Sequence, residues 1–244
     1  MEITKKEVKA ILIASFLIAL VFGFNDGSDL FEIQHWILNF LFIFLGAVLS
    51  TFIYTFVIKL GAIHYGGKAT YRMWTIKQIF IRQQMRFEPP IPIGAIIGFL
   101  FTLFSNGKLF LLAIHSPEVV SDKVARTGRL FKNIYETEIA KVHALGPLTL
   151  LALGLLLNVI NPVLFDRLIT MNYLLAIYHL IPFSDLNGTH LFMGARLLYV
   201  FIVILVIGCV ILAQFLSPIQ SVIVALVIAL ILGGWLLFAA LGRK

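Results

Sequence analysis

The sequence contains little charge and almost no cysteine. Of its 244 residues only 13% are charged, whereas 60% are hydrophobic, and the mean hydropathy is +1.00. Soluble domains carry about 25% charged residues, so this composition predicts an integral membrane protein. The single cysteine, Cys209, lies inside an apolar run. One cysteine excludes a disulfide framework within the chain.

Acidic residues are also few. The chain has 12 Asp and Glu against 19 Lys and Arg, which gives a formal net charge of +7. A basic chain raises the question of nucleic-acid binding. Here the basic residues lie in short loops between apolar segments, where the enrichment of Lys and Arg in cytoplasmic loops accounts for them. We therefore expect contact with the lipid bilayer of the cell membrane and no nucleic-acid partner.

No long polar linker and no internal repeat divides the chain, so we expect one membrane domain over residues 1–244. Six apolar runs approach the length of about 20 residues that crosses a hydrocarbon core. They cover approximately residues 10–25, 36–63, 142–160, 167–182, 190–216 and 219–242. A further stretch, 91–114, is interrupted by Pro92 and several glycines, which predicts a membrane-dipping hairpin. The predicted fold class is an all-α membrane protein with about six transmembrane helices plus this hairpin.

Loop charges predict the orientation of the chain. The loop at 23–35 carries acidic residues and no Lys or Arg, whereas the loops at 66–90 and 115–141 are basic. Basic loops stay in the cytoplasm. With six crossings, both termini are then expected to be cytoplasmic.

Three patches of the sequence share an order and a spacing with one known family. The first contains Lys59, Tyr65-Gly66 and Ala69-Thr70-Tyr71-Arg72-Met73-Trp74, the second is Gly146-Pro147-Leu148-Thr149-Leu150, and the third runs from His179 to Gly188. Across about residues 49–190 they resemble the archaeal and bacterial type of site-2 protease, a family of intramembrane zinc metalloproteases. The resemblance implies a core of transmembrane helices that surrounds a zinc site.

The residues that would form this zinc site are replaced. In the family, a His-Glu-x-x-His helix supplies two ligands on one face and a general base, and a distant Asp completes the site. The resemblance places Tyr54, Thr55 and Ile58 at the His, Glu and His positions, Asn187 at the Asp, and Leu150 at an Asn thought to help hold substrate. Zinc prefers thiolate, imidazole and carboxylate ligands. We therefore expect a non-catalytic relative, a pseudoprotease without catalytic residues, a metal or another cofactor.

A second hypothesis is an active intramembrane metalloprotease with unconventional ligands. His179, Asp185 and His190 lie within a dozen residues around the third patch, and zinc uses such side chains. This hypothesis predicts one zinc per chain and cleavage that chelators inhibit. The same residues also suit capping and turn hydrogen bonds in a loop at the membrane interface. A transporter or channel is a third hypothesis, but it requires buried charges along a path, and the apolar runs contain few.

The neutral replacements suggest how the former site is held together. Tyr54 and Thr55 are expected to hydrogen-bond Asn187 across a helix interface, which is worth about 0.5–2 kcal/mol in a membrane. The segment 70–76 alternates as a strand does, although the sequence does not decide between strand and helix. The resemblance implies that this region receives an extended substrate, with Tyr71 and Trp74 contacting transmembrane segments or partner membrane proteins.

Three further predictions concern single side chains. Lys59 is expected either to extend to the lipid headgroups or to pair near the lost site, and His115 to lie at the membrane interface. Ala225, Ala229 and Gly233 recur every four residues and form a small-residue stripe. Such a stripe permits close helix packing, either within the chain or between two copies.

Overall fold

The computed structural model describes residues 3–25, 32–78, 86–105, 107–108, 110, 114–121 and 134–241. Within these residues the chain is mainly helical, with eight helices and four short strands. The strands are an addition to the predicted all-α class. Much of the predicted charge pattern lies outside the described residues, including Asp26, Asp29, the segment 79–85 and the segment 122–133.

The helices and strands are numbered separately in chain order. The helices are α1 Lys5–Phe22, α2 Ile33–His64, α3 Ile93–Phe104, α4 Glu136–Ile160, α5 Asp166–His179, α6 Asn187–Gly194, α7 Arg196–Leu212 and α8 Pro218–Leu241. The strands are β1 Gly67–Thr70, β2 Ile76–Gln78, β3 Arg86–Ile91 and β4 Glu118–Ser121. β1 pairs with β4, and β2 pairs antiparallel with β3.

Three helices are long and apolar enough to cross a membrane, namely α2, α4 and residues Pro218–Trp235 of α8. A helix rises about 1.5 Å per residue, so the 32 residues of α2 exceed the thickness of a hydrocarbon core, about 30 Å. These lengths and compositions identify the chain as a helical membrane protein. The apolar run predicted at 190–216 is divided, because α6 ends at Gly194 and Ala195 adopts an extended conformation before α7 begins.

The chain forms two compact units. Unit 1 consists of Met1–Phe52 and Tyr71–Glu118, and unit 2 of Ile53–Thr70 and Val119–Lys244. The helix α2 contributes its first part to unit 1 and its last part to unit 2.

In unit 1, α1 begins with a capping box and packs through aromatic side chains. Thr4 Oγ1 accepts the Glu7 N–H at 3.3 Å, and Glu7 Oε2 accepts the Thr4 N–H at 2.8 Å. This reciprocal bonding satisfies two donors at the start of the helix. Farther along, the Phe16 ring lies edge-on to Phe40 and Phe44 of α2, at centroid distances of 5.6 and 6.5 Å.

The predicted membrane-dipping hairpin begins with the helix α3. Its small residues Gly94, Ala95 and Gly98 are buried, and the helix packs against α1. A turn follows in which Gly107 has φ +71°, a conformation that glycine adopts without a steric penalty. Much of the returning arm, residues 109 and 111–113, lies outside the described residues.

The segment 70–76 is extended and contains no helix. β1 ends at Thr70, Met73 forms an isolated antiparallel bridge with His115, and β2 begins at Ile76. Of the two alternatives that the sequence left open for this segment, the structure shows the extended one.

In unit 2 the small-residue stripe of α8 packs within the chain. Ala225 and Ala229 are fully buried, and a Cβ added to Gly208 of α7 would lie 3.3 Å from the Cβ of Ala225. Since α7 covers this stripe, the prediction of packing within the chain is confirmed. The remainder of unit 2 is built on α4, which packs against α5 and α6.

Candidate functional site

A buried polar cluster in unit 2 connects α2, α4 and α6. Asn187 Nδ2 donates a hydrogen bond to the Tyr54 hydroxyl at 2.8 Å, and His143 Nδ1 donates one to Asn187 Oδ1 at 3.1 Å. The exposed fraction is 0% for Tyr54 and Asn187 and 1% for His143. We call these three residues the polar cluster. The predicted hydrogen bond between Tyr54 and Asn187 is confirmed.

The α2 residues that the resemblance equates with a metal-binding helix face inward. Tyr54 and Ile58 are one helical turn apart and therefore share a face. Both are buried, as is Thr55, whereas Phe56 and Leu60 are exposed on the opposite side of the helix. The periodicity of the helix thus brings the two positions equated with zinc-binding histidines to the interior.

A tight turn before α6 directs Asn187 into the protein. The residues 181–185 are exposed, and Ser184 has φ +53°, which is uncommon for a residue with a Cβ. Gly188 lies so close to the Leu180 carbonyl oxygen that a Cβ would overlap it. Asn187 is the first residue of α6 and is buried directly after this turn.

Gly146 permits α4 to pass next to the cluster. A Cβ at this position would overlap Asn187 Nδ2 and would lie 2.8 Å from Tyr54 Cε2 and 3.4 Å from Ile58 Cδ1. A contact of this length requires neighbouring atoms to shift. Gly146 of the second patch therefore lies against Asn187 of the third patch and against Tyr54, whose position is counted back from the first patch.

Two more histidines contact the polar cluster, one at Tyr54 and one at His143. The His179 ring is 5.2 Å from the ring of Tyr54, and its Nδ1 donates to the carbonyl oxygen of Leu175 in its own helix. The His190 ring stacks on His143 at a centroid distance of 4.3 Å and an angle of 15°. His190 belongs to α6, outside the three spanning helices. Burial lowers the pKa of His190, and the negative charge of Asp185 offsets part of that decrease.

The alternative ligand set is not assembled in this arrangement. Zinc sites in proteins require at least three convergent ligands. Among the residues that the structure describes, no group of three or more His, Cys, Asp or Glu side chains is placed to hold a metal ion. His179 Nδ1 donates to the Leu175 carbonyl oxygen, and His190 stacks on His143.

Leu150 and Lys59 are also buried. Leu150, at the position of the family's Asn, has no exposed surface, and Lys59 retains only 5%. The Lys59 side chain is therefore enclosed by the protein, in a helix that continues to His64.

A second buried polar cluster lies in unit 1 and contains a carboxylate. Glu7 Oε1 accepts the backbone N–H of Tyr71 at 2.9 Å, and the Tyr71 hydroxyl is hydrogen-bonded to His115 Nδ1 at 2.6 Å. We call Glu7, Tyr71 and His115 the glutamate cluster. His115 is fully buried.

The side chains expected to contact a partner strand are buried in the same unit. The exposed fraction is 4% for Tyr71 and 6% for Trp74. The Trp74 N–H donates to the Ile114 carbonyl oxygen at 2.6 Å. Both residues therefore pack inside unit 1 and are not presented to a partner in this conformation.

Two members of these clusters were missed in the sequence. His143 precedes Gly146 by three residues, and residues at this spacing share a helix face. That spacing was the available indication that His143 accompanies the second patch. Glu7 follows Thr4 by three residues, which is the spacing of a capping box, but nothing in the sequence connects it with Tyr71.

No protein-family model, curated protein or solved structure matches the chain. The functional argument therefore depends on the geometry of the polar cluster and on the order of the three patches.

Proposed function

We propose that the chain is a non-catalytic relative of site-2 proteases that binds transmembrane segments or partner membrane proteins. The observation that supports this most directly is the meeting of Tyr54, whose position is counted back from the first patch, with Gly146 of the second patch and Asn187 of the third. Tyr54 and Asn187 are 133 positions apart in the sequence and are joined by a hydrogen bond. A chance likeness of three short motifs gives no reason for their residues to converge.

The chemistry of the cluster favours binding over catalysis. The positions equated with zinc ligands hold a phenol, an aliphatic side chain and an amide, and the phenol and the amide are bonded to each other. Unpaired charged ligands inside a bilayer are costly. The residues of this chain remove that cost and tie α2 to α6 by a neutral interhelical hydrogen bond.

We further propose six crossings of the cell membrane, with both termini in the cytoplasm. The helices α1, α5 and α7 have 18, 14 and 17 residues and would add three shorter crossings to the three long helices. The native Cys209 is buried, so single cysteines introduced elsewhere report on accessibility. In sealed, right-side-out vesicles, a membrane-impermeant thiol reagent should label Asp166→Cys but not Lys5→Cys. Labelling of Lys5→Cys would reverse the orientation.

The proposed partner surface consists of exposed apolar side chains in unit 2. Phe56, Leu60 and Ile63 of α2 are exposed on one face, and Ile181 and Phe183 are exposed in the turn before α6. A bound transmembrane segment would cover such apolar side chains without entering the closed polar cluster.

Metal content is the first experiment on the protease question. The full chain is purified in detergent without a histidine tag from cells grown with added zinc, and its metals are measured by mass spectrometry. We expect much less than one zinc per chain. One zinc per chain would favour an active protease with unconventional ligands and would overturn the proposal.

A variant with restored ligands tests the matching of positions. The variant Tyr54→His/Thr55→Glu/Ile58→His/Asn187→Asp recreates the ligands and the base of the family, so it should bind about one zinc per chain. The matched control omits Asn187→Asp and should bind zinc more weakly, because it lacks the third ligand. A folded four-residue variant with no more zinc than the natural chain would contradict the matching.

Crosslinking tests the binding part of the proposal. A photoreactive amino acid at Phe56 or Phe183 should capture a discrete set of membrane proteins in native membranes. The control position is Ile231 on α8, which is similarly exposed and belongs to a different face. Identical patterns from all three positions, or no protein adduct from Phe56 and Phe183, would contradict binding at this surface.

A further inference from the structure

The helix α6 has eight residues and lies between two breaks in helical structure. Residues 181–185 before it form an exposed turn, and Ala195 after it is extended, with φ −156° and ψ 77°. An isolated helix of this length is not stable in water. The packing of α6, which is mainly against α4, therefore keeps it folded.

Two contacts between α6 and α4 involve the same histidine of α4. His143 Nδ1 donates to Asn187 Oδ1 at 3.1 Å, and the His190 ring stacks on the His143 ring at a centroid distance of 4.3 Å. His143 is buried, whereas His190 is partly exposed and so within reach of protons from water. The pair of imidazole rings is thus a titratable part of the interface that holds α6.

Other titratable groups lie near the two ends of α6. The negative charge of Asp185, in the turn before α6, offsets part of the decrease that burial causes in the pKa of His190. On α7, the Arg196 guanidinium lies over an aromatic ring of α6, and the Tyr199 hydroxyl donates to a backbone carbonyl before the turn. On α4, Glu136 meets the end of α6 through its backbone carbonyl.

We infer that the stacked pair of His143 and His190 releases α6 from α4 in acid. Two imidazolium rings at 4.3 Å repel each other, which disfavours a doubly protonated pair by roughly several hundredfold at an effective dielectric constant of about 20. The docked pair therefore holds at most one proton, whereas both histidines can be protonated once α6 leaves α4. This inference is independent of the pseudoprotease proposal.

The direction of the effect follows from the number of protons that each state binds. Because burial lowers the pKa of His190 in the docked state, docking has its full stability above the ordinary histidine pKa of about 6.5. As the pH falls below that value, the undocked state binds more protons and gains population. Release of α6 also separates Asn187 from Tyr54 and His143, so acid opens the polar cluster.

Hydrogen exchange of the full chain in a neutral detergent tests the inference, because it detects even rarely populated open states. The protection factor of the α6 amides is measured between about pH 7.5 and about pH 5.5 and corrected for the pH dependence of the chemical exchange rate. It should fall at least about tenfold toward the lower pH. The amides of α8 are the internal reference and should change by about twofold or less.

Three variants identify the groups that respond to pH. The variant His143→Gln/His190→Phe contains neither imidazole, so its α6 protection should stay within about twofold over the same range. His190→Phe keeps a stacked ring and one titrating histidine, and its loss of protection should be at least about threefold smaller than that of the natural chain. His64→Gln is the matched control, since His64 is exposed and contacts Tyr65, and it should behave as the natural chain does.

Constant protection of α6 in the natural chain, or an equal loss in the variant without both imidazoles, would overturn the inference. An equal loss in α8 would show acid unfolding of the whole chain and would also overturn it. The series is repeated with a chelator, and a pH response that disappears there would identify a metal rather than protons as the titrating ligand. Tryptophan fluorescence checks that each variant is folded, and if the double variant is not, His190→Phe decides.

Discussion

Unit 2 buries the polar cluster without a charged group, whereas unit 1 buries the carboxylate of Glu7. In the polar cluster, side chains on three helices bond to one another. In the glutamate cluster, the carboxylate receives backbone N–H groups, one at the start of α1 and one from Tyr71. The first arrangement joins helices along their length, and the second attaches a helix end to an extended segment.

The difference shows what makes buried polarity tolerable in each setting. The first turn of a helix offers unsatisfied N–H groups and the positive end of the helix dipole, so an anion is stabilised there. The middle of a spanning helix offers no such donors, because its backbone is already bonded. A buried site between spanning helices therefore needs either a metal or side chains that are neutral and satisfy one another.

The largest effect is expected from Gly146→Ala, because the new Cβ would overlap Asn187 and crowd Tyr54. Forced separation of the helices and loss of hydrogen bonding should reduce the free energy of unfolding by about 3 kcal/mol. Titration with SDS in mixed micelles measures this quantity. The matched control is Gly234→Ala on α8, where a Cβ meets no atom within 4 Å and a stabilisation of about 0.5 kcal/mol is expected. Similar results for both variants would contradict the close approach of α4.

The glutamate cluster should respond strongly to Glu7→Gln. Glutamine places an N–H donor where one of the two carboxylate oxygens accepts a backbone N–H, and a hydrogen bond to a charged group is worth about 1.5–3 kcal/mol. We expect a loss of about 2 kcal/mol in the same titration. Glu32→Gln is the control, since Glu32 is exposed and its substitution should change stability by about 0.5 kcal/mol or less. A neutral result for Glu7→Gln would show that the buried charge has no stabilising role.

Asn187→Leu should have a smaller effect of about 1–2 kcal/mol, because it leaves the Tyr54 hydroxyl and His143 without their partner. A double-mutant cycle with Tyr54→Phe should give a coupling energy of about 1 kcal/mol. Asn158→Leu is the comparison, since Asn158 donates to the Tyr173 hydroxyl over a longer distance of 3.5 Å and should contribute less. An unchanged melting curve for Asn187→Leu in detergent would remove the polar cluster as an interhelical contact.

The smallest effect is expected from Tyr71→Phe. It removes one hydroxyl bonded to the buried His115 and keeps the ring and the backbone bond to Glu7, so a loss of about 1 kcal/mol is expected. Tyr65→Phe removes a hydroxyl at the end of α2 and should lower the thermal midpoint less. If Tyr71→Phe lowered the free energy of unfolding as much as Glu7→Gln, the hydrogen bond between Tyr71 and His115, rather than the carboxylate of Glu7, would be the main stabilising contact of the glutamate cluster.

The sequence predicted the helices better at their apolar parts than at their ends. The run predicted at 142–160 corresponds to α4, which begins earlier, at Glu136. The first turns of α4 contain polar residues, so a search for apolar runs does not include them. The break at Ala195 was missed for a different reason, since Gly194 packs against the Glu136 carbonyl and only tertiary contact reveals this.

The polar cluster was predicted in part. Tyr54 and Asn187 followed from the spacing of the motifs, because a family pattern places both residues at one metal site. His143 did not follow, since its partner Asn187 is 44 residues away in the sequence. Tyr71 and Trp74 were predicted from the resemblance to contact a partner, whereas both are buried.

By itself, the sequence determined that this is a membrane protein with long apolar helices, and it predicted which side chains would stand in place of a zinc-binding set. Both conclusions depend on residue type and on spacing along one helix, which are local properties. Only the tertiary structure decided that Asn187 lies between Tyr54 and His143, that His190 stacks on His143, and that Glu7 reaches Tyr71. Those contacts join distant parts of the sequence, and they depend on how closely the backbones approach each other. In the polar cluster the close approach is possible because residue 146 is a glycine and has no side chain.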